Sequence, residues 1–180
     1  MKLIKKLGIA VLIFLIVISI AGMFFPSKVE IERSIIINAP VSIVFEKVNV
    51  LKNWEDWSPW KKMDPEMKNV YNDIPSGKGA SFSWQGPKSG EGSLLVAESY
   101  PDSLIVTDLE FKGEGHADSD FKFSALSENS TKVSWSFQCE VGSNPFIRVF
   151  WSIGTSMMKQ SFDDGLKSIK DISEKKNNTC

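Results

Sequence analysis

The residues whose types could support catalysis or metal binding are one histidine, two cysteines and a set of carboxylates. The histidine is His116, and a Ser-His-Asp triad would have to use it. The alternation of polar and apolar residues around it groups His116 with the polar ones, so we expect a surface histidine. One histidine and two distant cysteines, Cys139 and Cys180, offer no cluster of metal ligands. The sequence therefore predicts no metal, no cofactor and no catalytic histidine.

Four carboxylates follow each other closely along the chain: Asp108, Glu110, Asp118 and Asp120. Two carboxylates at a suitable separation can act as general acid and base. Alternate side chains of a strand point to opposite faces of the sheet, and these four carboxylates alternate with mainly apolar residues, so they are expected to point outward, toward water. We therefore expect a solvated sheet face without a catalytic residue, and a buried acid is the alternative.

Gly77-Lys78-Gly79 has the composition of a phosphate-binding loop. Such a loop needs a Gly five positions before its Gly-Lys pair and a Ser or Thr after it. The residue at the first position is Asn72 and the one at the second is Gly79, so we expect a turn.

Neither cysteine is predicted to take part in chemistry. Cys139 lies in a strand pattern and is expected to be a small core hydrophobe, with Cys180 as a free terminal thiol. A disulfide between them is the alternative, and it would have to hold the end of the chain in place.

Composition and charge narrow the class of protein. The chain has 180 residues, 42% of them hydrophobic and 24% charged, which is ordinary for a globular domain. Removing Lys2, Lys5 and Lys6 from the 21 basic residues leaves 18 against 22 acidic ones, so the rest of the chain carries a net charge of −4. A nucleic-acid partner needs a basic surface, and we expect none.

The N-terminal segment is apolar. Leu7 to Phe25 contains no charged residue, and these residues as a helix would measure about 28 Å, close to the thickness of the hydrocarbon core of a bilayer. Residues 1–26 are therefore predicted to be a single-pass membrane anchor, with residues 27–180 as one domain. The preceding lysines predict a cytoplasmic N-terminus and an exported domain. A cleaved signal peptide, with Ser19-Ile20-Ala21 as cleavage site, is the alternative.

The remaining chain alternates between two periodicities. Val29 to Ile37 alternates as a strand, Ile43 to Leu51 has helical spacing, and Trp54 to Trp60 reads as a second short helix or tight loop. Six strand-like runs separated by short turns follow, at 67–73, 79–86, 91–100, 103–112, 115–127 and 131–141.

A long C-terminal helix is expected to cover the apolar face of this sheet. Pro145 suits its first turn, and Asn144 or Ser143 could cap it. Its apolar residues recur at steps of three and four: Phe146, Phe150, Ile153, Met157, Met158, Phe162, Leu166, Ile169 and Ile172. The sequence places Asp163, Lys167, Lys170 and Glu174 on the other side of this helix.

The predicted elements follow one another as a strand, a pair of helices, six strands and a long helix. This order resembles the helix-grip fold of the Bet v 1-like superfamily. That superfamily includes START-type lipid-transfer domains and the polyketide cyclase/dehydrase (SRPBCC) group. The opening strand and helix of that group are similar to the segment from Glu32 to Pro40 followed by Val44-Phe45. Its next elements are similar to three further segments, Trp54 to Trp60, Pro75 to Ala80 and Ser81 to Trp84. A membrane-anchored branch has a leading apolar segment like this one.

The resemblance implies an α+β helix-grip fold, with a curved antiparallel sheet of about seven strands wrapped on the C-terminal helix. It also implies an internal cavity for an apolar ligand, although the same rings would fill an ordinary core. The candidate lining residues are Trp57, Trp60, Phe82, Trp84, Leu109, Phe111, Phe121, Phe123, Trp135, Phe137, Met157, Met158 and Phe162. For Trp54, Trp57 and Trp60 a packing plug is expected over a gate.

These features favour a membrane-anchored protein that binds a lipid or other hydrophobic small molecule. An enzyme resembling aromatase/cyclases and a protein-interaction module with a filled core are the alternatives. A buried acid or base with a shifted pKa in the cavity would favour the enzyme.

Overall fold

The structure is a computed structural model that describes residues 2–113 and 115–175. Cys180, and with it the alternative Cys139–Cys180 disulfide, lies outside these residues. The elements in chain order are helix α1 (Lys2–Phe24), strand β1 (Lys28–Ile37), helix α2 (Val41–Asn49), a 3-10 turn (Leu51–Asn53), helices α3 (Trp54–Trp57) and α4 (Pro59–Met63), strands β2 (Lys68–Tyr71), β3 (Ser81–Gly86), β4 (Gly90–Tyr100), β5 (Leu104–Phe111), β6 (Gly115–Ser127) and β7 (Ser130–Glu140), and helix α5 (Pro145–Lys175).

Helix α1 is formed by the apolar N-terminal segment. Its stretch Ile4–Phe24 has 21 residues and contains an 18-residue window with a mean hydropathy of 2.9, so it is long and apolar enough to cross a membrane. A helix with these properties near the N-terminus is either a membrane span or a signal sequence. Most of its side chains are exposed, but Gly22 is buried against Pro145 at the start of α5.

The seven strands form one antiparallel sheet in the order β1-β7-β6-β5-β4-β3-β2. The register shifts between Val96 and Glu98 in β4 and between Ala125 and Ser127 in β6. Such irregularities bend a strand, and here they contribute to the curvature of the sheet. With α5 on its concave face, the fold is the predicted α+β helix-grip.

The strand predicted over 67–73 is shorter, Lys68–Tyr71, because the next side chain ends it. The Asn72 amide oxygen accepts hydrogen bonds from the backbone N–H groups of Ile74 and Ser81 at 3.2 and 3.1 Å. Gly77 and Gly79 then take positive φ values of 74° and 86°, so the glycine-lysine segment is the predicted turn.

Helix α5 presents two apolar stripes instead of the predicted single one. Phe162, Leu166 and Ile169 are buried in the core, and the partly buried Trp151 and Met158 pack against it. Phe146, Phe150, Ile153 and Met157, which were expected to cover the sheet, are exposed. At about 100° per residue, the five-residue step from Met157 to Phe162 turns the helix by about 140°, which separates the two stripes.

Gly165 lets α5 approach the sheet closely. An added Cβ would lie 2.8 Å from Cζ3 of Trp135 and 3.2 Å from Cδ of Pro59. The Trp135 ring is stacked on Phe162 with centroids 4.0 Å apart, so it has little freedom to move aside. The absence of a side chain at this position therefore sets the distance between helix and sheet.

Asp64, at the end of α4, fixes the turn between β3 and β4. Its Oδ2 accepts hydrogen bonds from the backbone N–H groups of Lys88 and Ser89 at 2.9 Å each and from the Ser89 hydroxyl at 2.8 Å. The backbone carbonyl of Ser89 in turn accepts the indole N–H of Trp84 at 3.2 Å. The buried carboxylate therefore positions a large ring on the concave face.

We expect Gly165→Ala to destabilise the domain. Overpacking against Trp135 should lower the free energy of unfolding by about 1–3 kcal/mol, offset in part by the higher helix propensity of alanine, which is worth about 1 kcal/mol. Urea unfolding of the detergent-solubilised chain, followed by circular dichroism, measures the change. Gly154→Ala is the matched control, since nothing lies within 4 Å of its added Cβ. Equal stability of the two variants would contradict this account of helix packing.

Asp64→Asn should make stability less dependent on pH. Burial acts to raise the pKa of Asp64, but the hydrogen bonds from Ser89 and Lys88 outweigh it and hold the pKa below its ordinary value of 3.8. The carboxylate therefore stabilises the fold fully above pH 3.8, and this stabilisation is lost as the pH falls through the lower folded value. Thermal melts should show a deficit of the variant at neutral pH that narrows in acid. Replacing the exposed Asp56 by Asn should leave the profile of the wild type unchanged.

Candidate functional site

The sheet register sorts the inward-facing residues into rows that run across the strands. One row joins Leu94, Leu109, Ala117, Cys139 and Val29 from β4 to β1. Because β1 begins at Lys28, shortly after α1 ends at Phe24, this row lies at the end of the sheet nearest α1. The concave face therefore has an end near α1 and an end far from it.

Rings fill the middle of the concave face, a few residues further from α1. Phe121 stacks on Trp135 with centroids 4.7 Å apart, and Trp135 stacks on Phe162 of α5 at 4.0 Å. Trp57 and Trp60 meet Trp135 edge-on, each at 5.6 Å. We call these five residues the ring cluster. Four of them, all except Trp60, are almost completely buried, so this part of the interior is packed.

The polar atoms of the buried tryptophans are satisfied. The Trp135 indole N–H donates to the Ser119 hydroxyl at 2.9 Å, and that hydroxyl donates to the backbone carbonyl of Ser136 at 2.9 Å. The indoles of Trp57 and Trp54 donate to backbone carbonyls of α2 at 2.9 and 2.8 Å. These hydrogen bonds hold α2 and α3 over the sheet, which is the behaviour of packing residues.

The end nearest α1 is less completely filled. Trp84, Leu109 and Phe111 face inward there but are only half-buried. The residues beside them are small: Gly92 is paired with Trp84 and Phe111, and Ala117 with Leu109. We call these five residues the open end. A Cβ at Gly92 would collide with the Trp84 ring, so the missing side chain makes room for that ring.

The structure separates the thirteen predicted lining residues into three groups, and their role in ligand binding stays a prediction. Met157 is 74% exposed and lies outside the interior, because it belongs to the second stripe of α5. Trp54 joins the buried rings, 4.6 Å from Trp57, although it was expected only as part of a plug. The buried candidates are Trp57, Phe82, Phe121, Phe123, Trp135, Phe137 and Phe162, and the half-buried ones are Trp60, Trp84, Leu109, Phe111 and Met158.

An ion pair on the concave face was missed from the sequence. Arg33 lies opposite Trp135 in the register, and its Nε and Nη2 donate to the two carboxylate oxygens of Asp163 on α5 at 2.7 and 2.6 Å. The hydrogen bond and the charge of Asp163 raise the pKa of Arg33. Asp163 was predicted to lie on the solvent side of α5. The parity of Arg33, shared with Ile31 and Ile35, was the signal of an inward charge.

The outer face of the sheet is acidic, as expected. One ligand atom each from Asp108, His116 and Asp118 lies within 4.8 Å of the others, because β5 and β6 pair Asp108 with Asp118. Counting only histidines and cysteines missed this group, in which Asp108 is half-buried and the other two residues are exposed. Burial, followed by the charges of Asp118 and Asp108, raises the pKa of Asp120, and Lys122 opposes this shift.

There are also two open depressions, with volumes of about 450 and 630 Å³. The first is lined mainly by polar residues of the outer face such as Lys112, together with Trp84 and Gly92 of the open end, and the second lies beside Asp118, Asp120 and Lys122. Neither is lined by a residue of the ring cluster.

Solved structures share this architecture at low sequence identity. An aromatase/cyclase from Streptomyces superposes with a TM-score of 0.60 at 12% identity, over 84% of this chain and 97% of the other. A protein of unknown function from Staphylococcus aureus gives 0.65 at 11% identity, over 84% and 97%. A hypothetical protein from Helicobacter pylori gives 0.62 at 12% identity, over 81% and 88%. At these identities the similarity shows the fold alone.

A comparison with curated proteins gave no match. A comparison with protein families matched residues 28–174, from the first residue of β1 almost to the end of α5, to the family described as polyketide cyclase / dehydrase and lipid transport. Its description joins the two activities that the sequence suggested, binding of a hydrophobic molecule and cyclase-like chemistry. The chain belongs to the polyketide cyclase/dehydrase and lipid transport family.

Proposed function

We propose that this protein binds a lipid or other hydrophobic small molecule at the open end. The observation that carries the proposal is the uneven filling of the concave face. Rings fill its middle, whereas half-buried apolar side chains stand beside small residues at the end nearest α1. Apolar surface that remains exposed inside a concave wall favours an apolar ligand.

The lining of the proposed site comes from both sheet and helix. Trp84, Leu109 and Phe111 supply the sheet side, and Trp151 and Met158 of α5 pack partly buried against the same core. A methionine adapts its shape to varied ligands at low cost. The ring cluster then forms the floor of the site, and Asp64 holds Trp84 in place through the β3–β4 turn.

The site would lie close to a membrane. We infer that α1 remains attached as a single-pass anchor, with a cytoplasmic N-terminus and an exported domain. The alternative cleavage site at Ser19-Ile20-Ala21 lies within α1, and Gly22 is buried against α5, which supports retention of the helix. The lysines before the apolar segment support the orientation.

Protein interaction is the second candidate function, and the packed ring cluster favours it. A domain whose interior is filled throughout would use its surface and would bind no apolar ligand. The cyclase-like alternative has weaker support, since Asp120, an acid with a raised pKa, lies on the outer face and not inside the sheet.

Filling the open end should weaken ligand binding. A fluorescent fatty acid is expected to bind residues 27–180 with one-to-one stoichiometry. Ala117→Phe enlarges the buried side chain beside Leu109 and should weaken this binding at least about tenfold, the equivalent of 1.4 kcal/mol. Ala125→Phe is the matched control, since Ala125 is an exposed residue of the same strand.

Circular dichroism establishes that both variants are folded. If Ala117→Phe does not fold, Leu109→Trp tests the same end at a half-buried position. A folded wild type that binds no fatty acid, or equal affinity in a folded filled variant, would refute the site and leave protein interaction as the proposed function.

The full chain should stay in the membrane fraction through alkaline carbonate washing, because α1 contributes a candidate membrane span of 21 residues that carries no charged residue after Lys6. Mass spectrometry of the retained protein should find the N-terminal segment intact. Recovery of a soluble chain beginning near Gly22 would instead identify a signal peptide.

A further inference from the structure

The first half of α5 has an exposed apolar stripe that the proposed binding site does not use. Phe150, Ile153 and Met157 are 73%, 69% and 74% exposed, and Phe146 is 43% exposed. Their spacing of four, three and four residues places them on one side of the helix. We define these four residues as the outer stripe. Large apolar side chains on one exposed face mark a contact surface.

The same side of α5 becomes polar after Met157. At helical spacing, the outer stripe continues through Gln160, Asp164, Lys167 and Asp171, all of them exposed. The change occurs within one turn and without any break in the helix, which runs from Pro145 to Lys175. Such a change on one helix face is expected where the helix leaves an apolar environment and enters water.

The outer stripe begins where α1 ends. Gly22 of α1 is buried against Pro145, and Nη1 of Arg148 donates to the backbone carbonyl of Phe25 at 3.4 Å. If α1 spans a bilayer, these contacts hold the start of α5 at the bilayer surface. The apolar surface of α1 and the outer stripe then belong to one continuous apolar region.

Charge and hydrogen bonding in this half of α5 also suit a membrane surface. Residues 141–161 contain Arg148 and Lys159 and no acidic residue, whereas the domain as a whole is acidic. Basic residues attract anionic headgroups. The hydroxyls of Ser152, Thr155 and Ser161 donate to backbone carbonyls of their own helix, so they do not depend on water.

We propose that the outer stripe is a second membrane-contact surface, with Phe146, Phe150, Ile153 and Met157 immersed in the bilayer beside α1. An interfacial helix of this kind buries its apolar face about 5–10 Å into the headgroup and acyl boundary. The inference rests on the proposed anchoring by α1. It deepens the proposed function, because it places Trp151 and Met158, on the core side of the same helix segment, next to the lipid from which a hydrophobic ligand would come.

Nitroxide labels on the full chain test this placement. The chain, with Cys180→Ser, is reconstituted in vesicles of equal parts phosphatidylcholine and phosphatidylglycerol, and labels are attached to Phe150→Cys and Ile153→Cys. These positions are exposed, so the substitutions leave the core unchanged. Labels at Asp164→Cys and Lys167→Cys are matched controls on the same side of the helix. Power-saturation spectroscopy compares collision of each label with oxygen, which dissolves in lipid, and with a water-soluble nickel chelate.

We expect the oxygen-to-nickel ratio to be several-fold higher at positions 150 and 153 than at 164 and 167. Nickel access at all four positions would overturn the proposal. So would a short distance between labels on two chains, measured by dipolar spectroscopy, since a second copy of the protein would then cover the stripe.

Failure of this inference and failure of the proposed function give different results. Carbonate washing of the same vesicles reports on α1, and release of the chain would overturn both the anchor and the membrane contact. Water-exposed labels on a retained chain, with fatty-acid binding intact, would overturn the membrane contact alone.

Discussion

The stack of Phe121, Trp135 and Phe162 joins the two halves of this fold. Trp135 lies between a ring of the sheet and a ring of α5, and Gly165 lets the helix backbone come close enough for both contacts. Its indole N–H is bound by Ser119, which fixes the ring in its plane. The missing side chain at Gly165 lets the sheet and the helix pack this closely. The Arg33–Asp163 ion pair, next to Trp135, adds a directional contact to the same junction.

This junction divides the concave face into regions with different roles. The packed rings in the middle stabilise the fold. The end near α1 therefore does not need to be closely packed with side chains. Leu109 and Phe111 are apolar enough to complete a core, yet they stand beside Ala117 and Gly92 and remain half-exposed. The proposed function would therefore assign stability and ligand binding to neighbouring rows of the same strands. In this view, much of the predicted cavity lining is the support of a smaller site.

The order of elements could be predicted from the sequence because local periodicity carries it. Alternation in β5, β6 and β7 and the helical spacing after Pro145 each depend on residues a few positions apart. The site was harder to predict because it depends on register and on helix phase. Met157 was assigned to the interior because steps of three and four residues conceal the change of face before Phe162. Arg33 was passed over among apolar neighbours, although its parity already placed it inside. The contact between α1 and Pro145 has no local signal, since it joins residues far apart in the chain.

Helix α5 is a single uninterrupted element of 31 residues, and in the proposed arrangement its two halves lie in different environments. Contacts with the sheet fix the rotation of its second half about the helix axis. The direction in which the side chains of its first half point then depends only on the number of residues between the two halves. Adding or removing one residue between Met158 and Phe162 would rotate everything before it by about 100° and turn the outer stripe away from its present direction. Substitutions in this linking turn change only local packing. The number of residues in this segment is therefore constrained more strongly than their identity.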